Sequence, residues 1–423
     1  MRGVNTEQSP GPFKSPAVLG LTILTFVNMF NYLDRYLVSA VAQSLKKSPL
    51  ALTDFQLGTL MTGFLIVYMV AAPLFGALGD TRSRPRLIAF GVACWSVATA
   101  ASGAVGSYWS LLVARAAVGV GEAAYGTIAP GLLADYFMRS QRGRVMAIFY
   151  CAIPVGSALG YIVGGLMDAR FGWRSAFYIA GLPGLALAAL CLGLRDVPRG
   201  SAGENPPGMP ETRQTPPLAA RLRHIAGNRS YVLTVLGYAA YTFAVGGLAF
   251  WMPAFLERER NMPRAAATVS FGAIVVVTGF IGTFAGGLLG DYLARYSRRA
   301  FLLLSGGSTL VAAPLAWFAL TTHSSRLYTA TMIAAQLCLF LSAGPINASI
   351  LNLSSPLERA TAFAISIFTI HAFGDVISPP LIGWISDTTS LAHAVQIVPV
   401  AIAAAAALWF CAAWSQDRGR DPA

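Results

Sequence analysis

The chain has 423 residues, of which 55% are hydrophobic and only 11% are charged, and its formal net charge is +12. Because an ordinary soluble domain carries about 25% charged residues to cover its surface, this composition excludes disordered and collagen-like chains and argues against a soluble enzyme. The class that remains is a polytopic helical membrane protein, in which each span uses about 20 mainly apolar residues.

Twelve apolar segments follow the polar residues 1–15. The first segment lacks a small-residue cleavage site after a short apolar core, so we expect a retained helix and no removed signal peptide. Several segments exceed the length needed to span, which predicts tilt or extension beyond the lipid. The predicted segments are 17–38, 55–78, 87–107, 109–135, 142–167, 173–194, 230–256, 265–292, 299–320, 326–352, 358–386 and 392–415.

The one long connector is 195–229, which is rich in proline and arginine and has almost no apolar periodicity. It predicts a cytoplasmic linker. We therefore predict an all-α membrane protein of twelve transmembrane helices in two halves, with six helices in residues 1–194 and six in 230–423. The five cysteines form no CxxC pair or Cys/His cluster, so we expect no metal and no cofactor.

The basic residues are distributed unevenly over the predicted loops. With both termini on one side, that side and its flanking residues hold twenty of the 30 lysines and arginines, and the other side holds eight. The remaining two, Arg35 and Arg115, fall inside predicted spans. By the positive-inside rule, both termini are cytoplasmic.

An internal repeat relates the two halves. The pattern Gly-x-x-Gly-Asp ends the second segment at Asp80 and the eighth at Asp291, half a chain length apart. A weaker echo relates the stretch ending at Asp168 to the one ending at Asp387. A parallel repeat of six helices is typical of transporters that carry a central site between two halves.

Charges inside the membrane segments are the strongest functional signal, because such residues cost several kcal/mol in hydrocarbon. Asp34 and Arg35 close the first segment, and Glu122 lies midway along the fourth, two turns from Arg115 on the same helix face. Burial disfavours an ionised carboxylate and a nearby arginine favours it, so a changing contact between them moves a proton. We predict proton coupling at Asp34, Arg35 and Glu122; the alternative is a permanent ion pair that fixes two helices. Glu122 has no adjacent basic residue in the sequence, which favours its titration.

Further polar and aromatic residues are candidates for substrate binding. His371 and Asp375 are four residues apart and predict a hydrogen-bonded pair. The aromatic candidates equally suit packing or interfacial belts, and a lone histidine is more often structural. The predicted binding residues are Asn28, Arg115, Tyr125, Phe149, Tyr150, Tyr241, Asn347 and His371.

The repeated aspartates suggest a cytoplasmic gate. Asp80 with Arg82 and Arg84, and Asp291 with Arg295, follow helix ends where a carboxylate and arginines can form a charge latch between the halves. The alternative is solvated charge that obeys the positive-inside rule.

Several motifs are absent from the sequence. It has no Walker phosphate loop, so ATP is not the expected energy source, and no HExxH or GxSxG motif, so we expect no enzyme.

The six-plus-six pattern and the repeated Gly-x-x-Gly-Asp loops resemble the major facilitator superfamily. The stretch Val118-Gly-Val-Gly-Glu-Ala-Ala-Tyr125, the motif Asn31-Tyr-Leu-Asp34-Arg35 and His371-x-x-Gly-Asp375 are similar to spinster-family transporters. This resemblance implies a lipid-related cargo of the sphingosine-1-phosphate or lysophospholipid type. It also implies that Asp34, Arg35 and Glu122 occupy the coupling positions and that Arg115 contacts the cavity, where an anionic headgroup would suit both arginines.

The sequence therefore predicts a proton-coupled secondary transporter that moves an amphiphilic lipid by alternating access. Its expected partners are the substrate, protons and membrane lipids, with no nucleic acid; we expect a monomer in a bacterial inner membrane. The main alternative is a drug or organic-anion transporter of the same superfamily. A scramblase or passive facilitator and a lipid-modifying enzyme are further classes, distinguished by pH response and by covalent change of the cargo.

Overall fold

A computed structural model describes residues 16–198, 218–354 and 358–418, and these residues form helices and no strands. Residues 199–217 of the predicted linker and both chain ends lie outside the described part. The N-terminal helices are α1 (Pro16–Lys47), α2 (Asp54–Thr81), α3 (Arg84–Ser102), α4 (Tyr108–Tyr136), α5 (Arg139–Phe171) and α6 (Trp173–Leu192). The remaining helices are α7 (Leu218–Gly227), α8 (Arg229–Glu259), α9 (Arg264–Ala294), α10 (Ala300–Thr321), α11 (Ser325–Leu341), α12 (Ala343–Leu353), α13 (Arg359–Ile370), α14 (Ser378–Thr388), α15 (Leu391–Ala394) and α16 (Ile397–Arg418).

These helices account for the twelve predicted spans. Eleven helical stretches of the described chain are long and apolar enough to cross a membrane. The remaining span is α3, a 19-residue helix with two arginines among its first three residues. Three predicted spans consist of more than one element. The tenth is interrupted at Ser342 between α11 and α12, the eleventh contains a π-helical turn, His371–Asp375, and the twelfth comprises α15 and α16.

The first helix is longer than predicted. It continues to Lys47 because residues after Arg35 are again apolar, and Leu37, Val41 and Leu45 are fully buried. The prediction that Asp34 and Arg35 close the first segment is therefore wrong, and both side chains lie near the middle of the helix.

Within each half, the long helices pack on one another. In the N-terminal half α1 packs on α5, and α4 packs on α2 and α3; in the C-terminal half α8 and α10 pack on α16. The halves meet where α5 contacts α9 and α2 contacts α14, which are equivalent positions in the six-helix repeat. The domain boundaries stay a prediction. The predicted linker also contains the short helix α7, whose Ile225 is buried against Tyr231 and Ala362.

Candidate functional site

Two buried ion pairs join α1 to α4. Arg115 Nη1 lies 3.2 and 3.1 Å from the two carboxylate oxygens of Asp34, and Arg35 Nη2 lies 2.8 Å from Glu122 Oε2. The pairs cross, because neighbours on α1 bind residues two turns apart on α4. No basic residue adjoins Glu122 in the sequence, but Arg35 reaches it from another helix, a contact that sequence spacing does not reveal.

The two pairs differ in their surroundings. The side chains of Arg115 and Asp34 are 1% and 2% exposed, whereas that of Arg35 is 13% exposed. The Arg35 guanidinium also lies 4.9 Å from the ring centre of Tyr32 and 5.5 Å from that of Tyr68, within range of cation–π attraction. Glu122 Oε1 accepts no hydrogen bond within the described chain, so its carboxylate is held through one oxygen only.

A cavity of about 860 Å³ lies between the two halves. Its wall is mainly apolar and aromatic, and it continues to the strongly exposed Phe284 and Leu288 of α9. It therefore reaches the surface of the protein between α5 and α9. Its lining includes Tyr36, Tyr150, Tyr161, Tyr238, Tyr241, Phe271, Phe284, Leu288, Asp291, Gln336 and Asn347.

Three of the predicted binding residues lie on this cavity wall. They are Tyr150, Tyr241 and Asn347. The Tyr241 hydroxyl donates to the carbonyl of Leu339 at 3.0 Å, and Asn347 Nδ2 lies 3.3 Å from the Tyr238 hydroxyl. These bonds fix the polar groups on the C-terminal side of the cavity.

The other predicted binding residues lie elsewhere. Asn28 Nδ2 donates to the carbonyl of Phe149, and the Tyr125 hydroxyl donates to the carbonyl of Leu24, so these side chains serve packing within the N-terminal half in this conformation. Arg115 is enclosed with Asp34. His371 Nδ1 lies 2.9 Å from Asp375 Oδ1, which confirms the predicted pair but places it outside the cavity wall.

The predicted gate residues do not form one cluster. Arg84 is buried and binds Asp135 of α4 and Asp196 of the predicted linker, so neither partner belongs to the C-terminal half. Asp80, Arg82, Asp291 and Arg295 are exposed, and of these Asp291 lines the cavity. A latch between the halves stays a prediction for a conformation closed at this end.

At the opposite end, a polar cluster that sequence reasoning missed closes the gap between the halves. Arg258 of α8 donates to both carboxylate oxygens of Asp54 at 2.5 and 2.6 Å, and to Gln43. Lys46 and Ser386 also donate to Asp54, whose side chain is 1% exposed. We call this end the closed face.

The echo between Asp168 and Asp387 falls on this closed face. Asp387, at the end of α14, accepts hydrogen bonds from the backbone N–H groups of Asp54 and Phe55 at the start of α2. Asp168, in the last turn of α5, pairs with Arg264 at the start of α9. Each aspartate thus ties one half to the other at equivalent positions of the repeat.

Sequence reasoning also missed Gln336 in the cavity. Its Oε1 accepts a hydrogen bond from Thr278 at 3.3 Å, within the C-terminal half. A glutamine inside the otherwise apolar run of α11 indicated a residue of the cavity. It was missed because the search considered charged residues, and glutamine is uncharged.

Comparison with known proteins decides the family. The sequence model described as Major Facilitator Superfamily matches residues 24–379. Protein spinster homolog 1 of Mus musculus is 35% identical over 404 residues, covering 90% of this chain and 75% of the relative. The chain belongs to the spinster family of the major facilitator superfamily. A further family relative, the sphingosine-1-phosphate transporter SPNS2 of Danio rerio, is 33% identical over 410 residues, covering 92% of this chain and 80% of the relative.

Solved structures agree in fold. A bacterial homolog of the human lysosomal transporter spinster, in an inward-facing and unoccupied conformation, superposes with a TM-score of 0.87 at 22% identity, over 97% of this chain and all of the other. A D-xylose–proton symporter gives a TM-score of 0.72 at 16% identity, over 94% and 98%. The spinster-family protein is thus an integral membrane transporter with the major facilitator fold, and it is not an enzyme.

Proposed function

We propose that this spinster-family transporter moves a single-chain amphiphilic lipid of the sphingosine-1-phosphate or lysophospholipid type, by alternating access and with coupling to protons. The cavity between the halves is the observation that carries the proposal. It combines an apolar, aromatic wall with a few fixed polar groups, and the exposed side chains of Phe284 and Leu288 extend it to the protein surface. A lipid chain can occupy such an opening while the headgroup stays inside. A relative named as a sphingosine-1-phosphate transporter supports this cargo class.

The coupling site in this proposal is the ion pair between Arg35 and Glu122. Arg35 is the more exposed of the two arginines, so a change in the cavity reaches this pair first. Releasing Arg35 would leave a fully buried carboxylate without its counter-charge, and such a group takes up a proton. The enclosed Asp34–Arg115 pair fixes α1 against α4 while this happens.

Alternating access in this account requires the bonds that join the halves at the closed face to break. The bonds of Asp54 to Arg258 and of Asp168 to Arg264 join the halves there, whereas the end that carries Asp80 and Asp291 is exposed. We propose that the halves exchange these bonds for a latch at the other end. The positive-inside rule then places the closed face outside, with both termini cytoplasmic in an inner membrane.

The organic-anion alternative finds less support in the cavity. Arg35 and Arg115, the cations that would hold an anion, bind Glu122 and Asp34, and neither lines the cavity. A drug transporter that accepts apolar molecules shares the same mechanics.

Transport of labelled lipids into proteoliposomes tests the proposal. Lysophospholipids and sphingosine-1-phosphate of increasing chain length are offered with and without an imposed pH gradient, and mass spectrometry checks the recovered cargo. We expect unmodified cargo, uptake that depends on chain length, and acceleration by the gradient. Uptake of small carboxylates without chain-length dependence would favour the anion transporter. Lipid movement that ignores the gradient would favour a passive facilitator.

A further inference from the structure

The charged residues on the cavity wall determine which headgroup charge the cavity favours in an amphiphile. Asp291 carries the only charged side chain among the residues that line the cavity in the described chain. Among the described residues, the wall includes no lysine, arginine or histidine; apart from Asp291, its polar groups are neutral, such as Gln336, Asn347 and the tyrosine hydroxyls. A cargo headgroup inside the cavity therefore meets one negative charge and no positive one.

The position of Asp291 strengthens its negative potential. It lies on the face of α9 that also presents Phe284, Gly287 and Leu288 to the cavity. It also lies within the last turn of α9, which ends at Ala294, and the carboxyl end of a helix carries partial negative charge. Asp291 accepts no hydrogen bond and forms no ion pair with another residue of the described chain, so its carboxylate is available to a ligand.

The aromatic lining favours the same sign of charge. Five tyrosines and four phenylalanines line the cavity. The faces of such rings attract ammonium groups through cation–π interactions and offer no comparable attraction to a phosphate or carboxylate. The negative charge and the rings thus point to one ligand chemistry.

We infer that the cavity selects its amphiphile by an ammonium group, for which Asp291 supplies the counter-charge. The expected ligand is a single apolar chain that carries an exposed ammonium, whether the whole molecule is cationic or zwitterionic. An amphiphile with an anionic headgroup and no ammonium is rejected. This inference rests on the proposed function, because it assumes an amphiphilic cargo in this cavity, and it assigns Asp291 to cargo binding as well as to the predicted gate.

Three single-chain probes of equal chain length separate the possibilities: dodecyltrimethylammonium, dodecylphosphocholine and dodecyl phosphate. Equilibrium binding of each to the purified full-length protein, in a neutral maltoside detergent, measures the preference for charge. We expect the cation to bind at least about ten-fold tighter than dodecyl phosphate, with dodecylphosphocholine between them. Asp291→Asn should weaken binding of the cation roughly 3- to 10-fold without weakening that of dodecyl phosphate.

Two further variants complete the experiment. Asp291→Lys should reverse the order of cation and anion. Asp80→Asn removes the equivalent aspartate of the first-half repeat, which does not line the cavity, and should leave the ratio of the affinities unchanged. The thermal unfolding temperature of each variant checks that it is folded.

The outcomes distinguish failure of the ammonium preference from failure of the proposed amphiphilic cargo. Binding of dodecyl phosphate as tightly as the cation, or an unchanged ratio in Asp291→Asn, would overturn the inference while leaving amphiphile transport in place. Binding of none of the three probes by the unaltered protein would contradict the amphiphilic cargo itself, and the inference would fail with it.

Discussion

Arg35 on α1 and Glu122 on α4 form a 2.8 Å ion pair in which the Glu122 side chain is fully buried. The adjacent residue on α1, Asp34, binds Arg115, which lies two turns from Glu122 on α4. The two pairs balance four charges inside the N-terminal half. Their different exposure divides the roles in our account, since the Asp34–Arg115 pair holds the helices together and the Arg35–Glu122 pair responds to the cavity.

Arg115→Met should destabilise the protein strongly, because it leaves the carboxylate of Asp34 buried without a counter-charge. Breaking a buried pair in this way costs about 3–5 kcal/mol. Thermal unfolding in detergent should therefore show a clearly lower unfolding temperature. The double variant Asp34→Leu with Arg115→Met removes both charges and should recover most of the loss. A double variant as unstable as the sum of the single variants would contradict the pairing.

Arg258→Ala should open the closed face, because Asp54 loses its bidentate partner. Ser39 lies between the halves beneath this face and donates to the carbonyl of Ala249. In a background without the native cysteines, a membrane-impermeant maleimide should label Ser39→Cys roughly ten-fold faster when Arg258→Ala is present. Arg170→Ala removes an exposed arginine near the same face and serves as the control. Equal labelling rates in the two backgrounds would show that Arg258 does not hold the halves together.

Gly383→Ala should also favour opening of the closed face. A methyl group at Gly383 would collide with the carbonyl oxygen of Asp54, a backbone atom that cannot move without shifting α2 from α14. The same maleimide reaction reports the change. A methyl group at Gly106 would meet nothing within 4 Å, so Gly106→Ala is the matched control. Labelling of the two variants at the same rate would mean that close contact at Gly383 does not govern the conformation.

Gly287→Phe should block transport without unfolding the protein. Gly287 lines the cavity, and a side chain there would meet nothing within 4 Å, so a large ring fills space instead of clashing. Gly307→Phe makes the same change at an equally open position in a separate groove beside α10. Uptake of labelled lysolipid should fall at least about ten-fold in the first variant and stay near the original rate in the second. Equal uptake by both would place the transport path elsewhere.

The sequence predicted features that depend on residue type along one helix. The twelve spans follow from the lengths of the apolar runs. Within those runs, four charged residues stand out: Asp34, Arg35, Arg115 and Glu122. The pair of His371 and Asp375 follows from helical spacing. These predictions need no knowledge of how the helices are arranged.

The pairing of those charges could not be predicted, because it depends on the rotation of α1 against α4. The contacts of the closed face could not be predicted for the same reason, because they also depend on how the helices are arranged. Asp54 and Arg258 lie near predicted loops and have the appearance of solvated charge, and only the contact between distant helices makes them partners. Arg84 shows the reverse case, since it lies in a basic loop motif yet is buried between Asp135 and Asp196.

Proton coupling is tested most directly by comparing the unaltered protein with Glu122→Gln. The measurement is the uptake of a labelled lysolipid into proteoliposomes, with and without an imposed pH gradient. Glutamine keeps the shape of the side chain and cannot carry the proton, and Glu259→Gln makes the same change at the end of α8 as a control. We predict that Glu122→Gln still exchanges lipid across the membrane but loses its acceleration by the gradient, while Glu259→Gln keeps it. Full acceleration in Glu122→Gln would contradict proton coupling at this residue.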